Sequence, residues 1–316
     1  MVIDDFSDTW HAPDGWPLRR ATVPASRGKR GSLLFLAGRG DHMEKYAETI
    51  HHWAGRGWRV DSFDWRGQGG SGRFARDATV GHVEDFGCWL GDLHAYCTEW
   101  RASRSGPHVI VAHSMGGHLA LRALAERRID ADAAVLVAPM LGIAAGGMPR
   151  PLAAAISHFA CSLGHAERSL WRSRRTTPQF MTAMRTMLTH SPERFEQEAR
   201  LRRERPELVL DAPSWGWMRA AYRSIALLDR VGYLEGVTTP MLILATKGDR
   251  LVSAPAIARA ARRLPHARVH FYGRDVAHEI LREVDSVRDD ALARIDAFLS
   301  DHAPALRQTE RARQKG

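Results

Sequence analysis

Residues 109–124 read VIVAHSMGGHLALRAL, a stretch that narrows the possible folds sharply. A short aliphatic run ends at Ser114, two glycines follow, and apolar residues then recur at helical spacing. This is the pattern of a buried strand turning abruptly into a helix. Apolar or alternating runs bounded by turn residues predict further strands at GSLLFLAG (31–38), WRVDSFDW (58–65), AAVLVAP (133–139), PMLILAT (240–246) and ARVHFYG (267–273). Helix-period segments lie between them. In HVEDFGCWLGDLHAYCTEW (82–100), residues Val83, Phe86, Leu90, Leu93, Cys97 and Trp100 mark one buried face. MGGHLALRALAERR, SAPAIARAARRL and SVRDDALARIDAFLSDH also read as helices, the second with Ser253 as its N-cap. Strands alternating with helices imply an α/β fold, with a mostly parallel sheet covered on both faces. WPLRRATVPA (16–25) is expected to add an antiparallel hairpin at the sheet edge.

One interval breaks the rhythm. From 141 to 235 there is no strand signal, only a glycine-rich entry and amphipathic stretches, which is too much chain for a loop. The expected organisation is a core of 1–140 and 236–303, an inserted helical cap of 141–235, and a basic, disordered tail of 304–316. The chain carries a formal charge of +9, and residues 150–235 hold fourteen arginines, no lysine and nine acidic residues. Such a balance favours anionic partners. No nucleic-acid motif accompanies it, so an anionic membrane surface or a phosphate-bearing substrate fits better, and a merely solvated basic face is commoner still. No apolar run is long enough to span a bilayer, and the acidic N-terminal stretch does not resemble a secretory signal. Cys88, Cys97 and Cys161 lack metal-site spacing and fit reduced thiols. A cytoplasmic protein, with at most peripheral contact with the inner face of the membrane, is expected.

The serine corner carries the chemistry. A strand–Ser–helix turn with small residues on either side is the setting of a nucleophile elbow, in which the hydroxyl projects above the sheet. Gly116 and Gly117 meet that need on the helix side, and Ala112 nearly meets it on the strand side. The plainer alternative makes Ser114 a helix N-cap. A serine needs a base, and His278, on a loop entering the last helix, is the best placed of sixteen histidines. His266 and His270 read as exposed or structural, and His113 as a packing residue. Asp249, just past a predicted strand, is the expected partner of the histidine; Asp229 and Asp275 are the weaker candidates. Backbone donors for an oxyanion are expected from Met115 and from Arg39 in the loop AGRGDH, where Gly38 and Gly40 let the backbone approach a carbonyl closely.

Five ordered motifs, AGRGDHMEKYAE, DWRGQGGSGR, AHSMGGHLALR, ATKGDRLVS and HEILRE, resemble those of alpha/beta-hydrolases of the bacterial lysophospholipase and monoacylglycerol lipase branch, a serine aminopeptidase S33-type domain. The resemblance spans about residues 16–300. It implies an eight-stranded sheet, an inserted cap and cofactor-free hydrolysis of monoacyl lipid esters, with no metal. It places nucleophile, acid and base on Ser114, Asp249 and His278, and the oxyanion donors on Arg39 and Met115. Two departures, Ala37 where many relatives have histidine and Ala112 at the start of the elbow, bear on substrate and rate. Asp64, Arg66 and Ser71 are expected to be structural. Leu152, Ile156, Phe159, Phe180, Met184 and Trp215 are the cap residues expected to line an acyl pocket. The same triad would also suit a small-molecule carboxylesterase or a proline-releasing serine peptidase.

Overall fold

The computed structural model describes residues 3–144, 146–171, 183 and 185–305. Eight strands form one sheet: β1 (Ser7–His11), β2 (Pro17–Val23), β3 (Gly31–Leu36), β4 (Trp58–Phe63), β5 (His108–His113), β6 (Ala133–Val137), β7 (Met241–Thr246) and β8 (Ala267–Tyr272). Their order is β1-β2-β4-β3-β5-β6-β7-β8. β1 and β2 run antiparallel to their neighbours, and all other pairs are parallel. The six predicted strand segments are all strands of this sheet.

Parallel central strands must bury both faces, and alternation along them divides the core in two. Leu34, Leu36, Ile110, Ala112, Leu136 and Ile243 face one side, packed against α2 (Gly87–Ser103) and α3 (Met115–Ala125). Leu33, Phe35, Val109, Val111, Val135 and Leu244 face the other side. There they meet Ile50 and Trp53 of α1 (Ala47–Gly55) and Leu292, Ile295 and Leu299 of a C-terminal helix, Asp285–His302. Each buried Val, Leu, Ile or Phe among them contributes about 1.5–3 kcal/mol relative to exposure. The two-sided burial explains why β5 and β6 read as nearly continuous apolar runs.

The edge hairpin departs from expectation. Residues 16–25 supply only its second strand, and its partner is the stretch SDTWH, in register Trp10↔Leu18. Only Trp10 of that stretch is buried, so an edge strand with one solvated face left no apolar signal. The helix expected from Val83 begins at Gly87, because the Asp85 carboxylate accepts the Gly87 amide and holds a turn ahead of it.

Between β6 and β7 the chain forms helices α4 (Arg150–Ser162), α5 (Pro192–Glu204) and α6 (Trp215–Leu228). Pro and Ser at their starts account for two of these boundaries: the Ser191 and Ser214 hydroxyls accept the amides of Arg194 and Trp217. Arg194 ties α5 to the core through Glu48 and Asp285, each at 2.8 Å. Residues 306–316, where a disordered tail is expected, lie outside the described residues, as do Phe180 and Met184.

Packing is tight where β5 meets α3. A Cβ on Gly116 would sit 2.5 Å from the Ala37 carbonyl oxygen and 2.6 Å from that of Leu36, both main-chain atoms that cannot swing aside. Gly116→Ala is therefore expected to destabilise the protein by about 1–3 kcal/mol in urea unfolding. Gly91→Ala, where a Cβ meets open space, serves as a control expected to be neutral or stabilising.

Candidate active site

Ser114 terminates β5 and precedes α3 with φ +52° and ψ −116°, a backbone conformation that L-residues adopt only under constraint. The constraint comes from both sides. Its amide donates to the Val137 carbonyl at 3.0 Å, and its carbonyl accepts from Met140 at 3.0 Å. Its side chain makes no capping bond to α3, so it is not spent as an N-cap. The hydroxyl instead lies 3.0 Å from His278 Nε2.

His278 enters from the loop after β8, and its Nδ1 lies 2.7 Å from Asp249 Oδ2. Asp249 follows β7, and its other oxygen accepts the Leu251 and Val252 amides at 2.8 and 2.9 Å. The structure thus brings Ser114, His278 and Asp249 into one hydrogen-bonded line above the carboxyl edge of the sheet. Asp229 instead pairs with Arg150 in the inserted segment, and Asp275 is exposed. Burial works against a charged His278, but the Asp249 carboxylate outweighs it, with Glu279 and Asp41 adding to the effect, and the imidazole titrates above its usual value. Burial likewise works against a charged Asp249; the His278 charge and hydrogen bond, with the two amides, hold its carboxyl below the usual range.

The loop after β3 passes close to the serine. A Cβ on Gly38 would lie 3.1 Å from the Ser114 Cβ, so a side chain here would press on the serine. The Gly38 amide donates to Asp41 at 3.0 Å, and the Gly40 amide to Gln68 at 2.6 Å. Arg39 sits between these two engaged amides, and its guanidinium turns away to donate to the Asp211 carbonyl at 2.6 Å and to lie over the Trp217 ring. Gln68 also reaches the Met115 sulfur at 3.9 Å, bridging the loop to the serine corner. Asp64 accepts from Arg19, the Met43 amide and the Gly70 amide, while Arg66 pairs with Asp14 and Asp92. Ser71 donates to the Asp64 carbonyl, so all three residues of this glycine-rich loop brace it.

A cavity of about 1180 Å³ opens on Ser114 and His278. Its walls are mostly apolar, with Met140, Ile143, Leu170, Val209, Trp215 and Met218 among them. Ile156 and Trp215 line it as expected, whereas Leu152 and Phe159 lie outside it, 52% and 65% exposed. They sit on the outer side of α4, a distinction that helical spacing alone does not carry.

The sequence reading missed a buried ion cluster beside the histidine. Lys45 Nζ donates to Asp41 at 2.7 Å and to Glu279 at 2.5 Å, and lies 3.2 Å from Glu198 of α5. Arg282 closes the group on Glu279 at 3.1 Å. His113 belongs to the same region: its Nδ1 is 2.9 Å from the Tyr46 hydroxyl, and its ring packs 4.9 Å from that of His278. The available signal was local, since Asp41 and Lys45 stand four apart and Glu279 and Arg282 three apart. Lys45→Met would strand Asp41, Glu198 and Glu279 with too little positive charge, and is expected to cost about 3–5 kcal/mol in urea unfolding.

The model of the family described as "Serine aminopeptidase, S33" matches residues 27–285. Lysophospholipase L2 of Escherichia coli (strain K12) is 31% identical over 308 residues, covering 92% of this chain and 86% of that protein. A soluble variant of monoglyceride lipase from Saccharomyces cerevisiae, solved with a substrate analog, superposes with a TM-score of 0.74 at 17% identity, over 94% of this chain and 96% of that one. Monoacylglycerol lipase of Paleococcus ferrophilus gives 0.68 at 20% identity, over 90% and 98%. At those identities the two structures speak to fold, which is that of the alpha/beta-hydrolases. The chain belongs to the serine aminopeptidase S33 family, alongside lysophospholipase L2.

Proposed function

We propose that this protein hydrolyses the carboxylic ester of a single-chain lipid, a lysophospholipid or a monoacylglycerol, through an acyl-enzyme on Ser114. The observation that carries the reading is the Ser114–His278–Asp249 line at 3.0 and 2.7 Å, set at one side of a large apolar cavity. His278 takes the hydroxyl proton as Ser114 attacks the ester carbonyl, and then gives it to the departing alcohol. Asp249 fixes the ring orientation and stabilises the imidazolium. The amides of Met115 and Arg39 receive the oxyanion. Water, deprotonated by His278, attacks the acyl-enzyme and releases the fatty acid. A cavity of about 1180 Å³ exceeds what a short ester or a prolyl residue needs, which favours a long acyl chain over the carboxylesterase and peptidase alternatives.

The inserted segment acts as a cap that meets lipid. Met148, Leu152, Ile156, Phe159, Leu163 and Trp171 are six of the eight large hydrophobic side chains exposed among the described residues. Four of them fall at i, i+4, i+7 and i+11 along α4 and its end, forming one stripe. Several arginines expected to steer the protein to a lipid surface are already paired, among them Arg150, Arg194, Arg203 and Arg205. The apolar stripe therefore carries the contact, which is peripheral: no helix among the described residues is long and apolar enough to cross a membrane.

Ser114→Ala is expected to lower fatty-acid release from monoacyl lipids on the order of 10⁶-fold; turnover at the wild-type rate would refute the assignment. The base must be neutral to act, so kcat/KM falls as pH drops through the raised His278 pKa, placing the acid limb above an ordinary histidine value. Asp249→Asn removes the carboxylate that raises it, shifts that limb to lower pH and lowers kcat about 10⁴-fold. Replacing Phe159 and Leu163 together by serine should weaken sedimentation with phospholipid vesicles at least about tenfold, while hydrolysis of a soluble short-chain ester persists.

A further inference from the structure

The geometry points to a phosphate-recognition site at the α5 end of the cavity, with Arg202 as the residue that sets a preference for a phosphate-bearing head group over an uncharged glycerol one. The inference rests on the lipid-ester reading above and narrows its substrate class to single-chain phospholipids.

Phe195, Glu198, Ala199 and Arg202 all line the cavity, at the i, i+3, i+4 and i+7 positions of one helix face. That face runs from an apolar ring to a charged end, and the charged end continues into the ion cluster beside His278. The steps are short: Glu279 follows His278 in the chain and pairs with Lys45, Lys45 lies 3.2 Å from Glu198, and Glu198 pairs with Arg202 at 2.8 Å. The cavity thus joins apolar walls, the ester-cleaving groups and a polar end in one space, as a lysophospholipid would require.

Arg202 is the cation at that end with capacity to spare. Its Nε and Nη2 both donate to one oxygen, Glu198 Oε1, at 3.0 and 2.8 Å. This fixes the guanidinium plane, and its Nη1 has no partner among the described residues. The side chain is 29% exposed, so a ligand reaches it from the cavity without unburying it. Lys45, by contrast, is fully used by Asp41, Glu198 and Glu279. Arg203 also borders the cavity but is 64% exposed and paired with Glu196, which suits the rim.

The acids at this end are Asp41, Glu198, Glu279 and Glu196 on the rim, and the bases are Lys45, Arg202, Arg203 and the adjoining Arg282. The cluster is therefore balanced, and the spare Nη1 donor of Arg202, rather than an excess of charge, is what a phosphate meets. A planar guanidinium already oriented by a carboxylate suits phosphate oxygens better than a mobile ammonium does.

The test measures kcat/KM for a lysophospholipid and a monoacylglycerol of the same acyl chain, both in one uncharged detergent so that surface attraction is equal. In Arg202→Gln the ratio of the two, lysophospholipid over monoacylglycerol, is expected to fall about tenfold or more, through KM, and Arg202→Lys to restore part of it. A general structural defect lowers both substrates together and leaves the ratio where it was; an unchanged ratio in correctly folded Arg202→Gln overturns the proposal. Inorganic phosphate distinguishes a head-group site from a free-anion site. Inhibition of wild-type monoacylglycerol turnover by phosphate that is relieved in Arg202→Gln, together with an unchanged substrate ratio, would mean a free-anion site and overturn the proposal; the same inhibition with a lowered ratio supports it. If wild type releases fatty acid from neither lipid, the lipid-ester reading itself fails, an outcome separate from a change in ratio.

Discussion

The closeness of two backbones, at Gly116 and at Gly38, is the constraint on which the rest of this molecule depends. β5 ends against the loop that follows β3, and no side chain fits between them: a Cβ on Gly116 would meet main-chain oxygens at 2.5–2.6 Å. Beside that approach Ser114 takes a positive φ, and its hydroxyl lies 3.0 Å from His278 Nε2. The approach also brings the Arg39 segment alongside the serine. One close contact therefore adjoins both the proposed nucleophile and the backbone proposed to receive the oxyanion. Hydrogen bonds from Ser114 to Val137 and Met140 hold the strained corner in place.

Electrostatics supplies the second layer. Buried carboxylates are tolerable only when paired, and Asp41, Glu198 and Glu279 share Lys45 and Arg282. Because these residues come from three distant parts of the chain, their pairing does more than neutralise charge. It fastens the inserted helix α5 to the loop that carries His278, and further backbone bonds from His278 to Met187 and from Glu279 to Leu188 reinforce that junction. The histidine's orientation therefore depends on the inserted segment as well as on Asp249. In this arrangement the segment above the cavity is bonded directly to the loop that carries the proposed base.

Much of this was legible in the residues. Six strand segments could be read directly, because strands buried on both faces must be apolar along their whole length. The corner was also legible, since Ser114 stands between a buried strand and a helix, with Ala112 before it and Gly116 and Gly117 after it. Less legible were features whose signal is weak or shared. The first strand has one buried residue, and Phe159 and Leu152 carry the same helical spacing as residues that do face the cavity. The part played by Gln68, which joins the Gly40 amide to Met115, had no local signature at all.

What the sequence by itself determined is the α/β architecture, because strand burial and turn chemistry are local properties, and, through the resemblance of its motifs, the expectation that Ser114, Asp249 and His278 are partners. Only the tertiary structure decided which of the arginines face the cavity, where the apolar stripe of α4 points, and how Lys45 is divided among three carboxylates. The physical reason is that charge pairing and side-chain exposure depend on neighbours tens to hundreds of residues away. A helix carries its periodicity in its own sequence, but which of its faces finds a partner is settled by the surface it packs against.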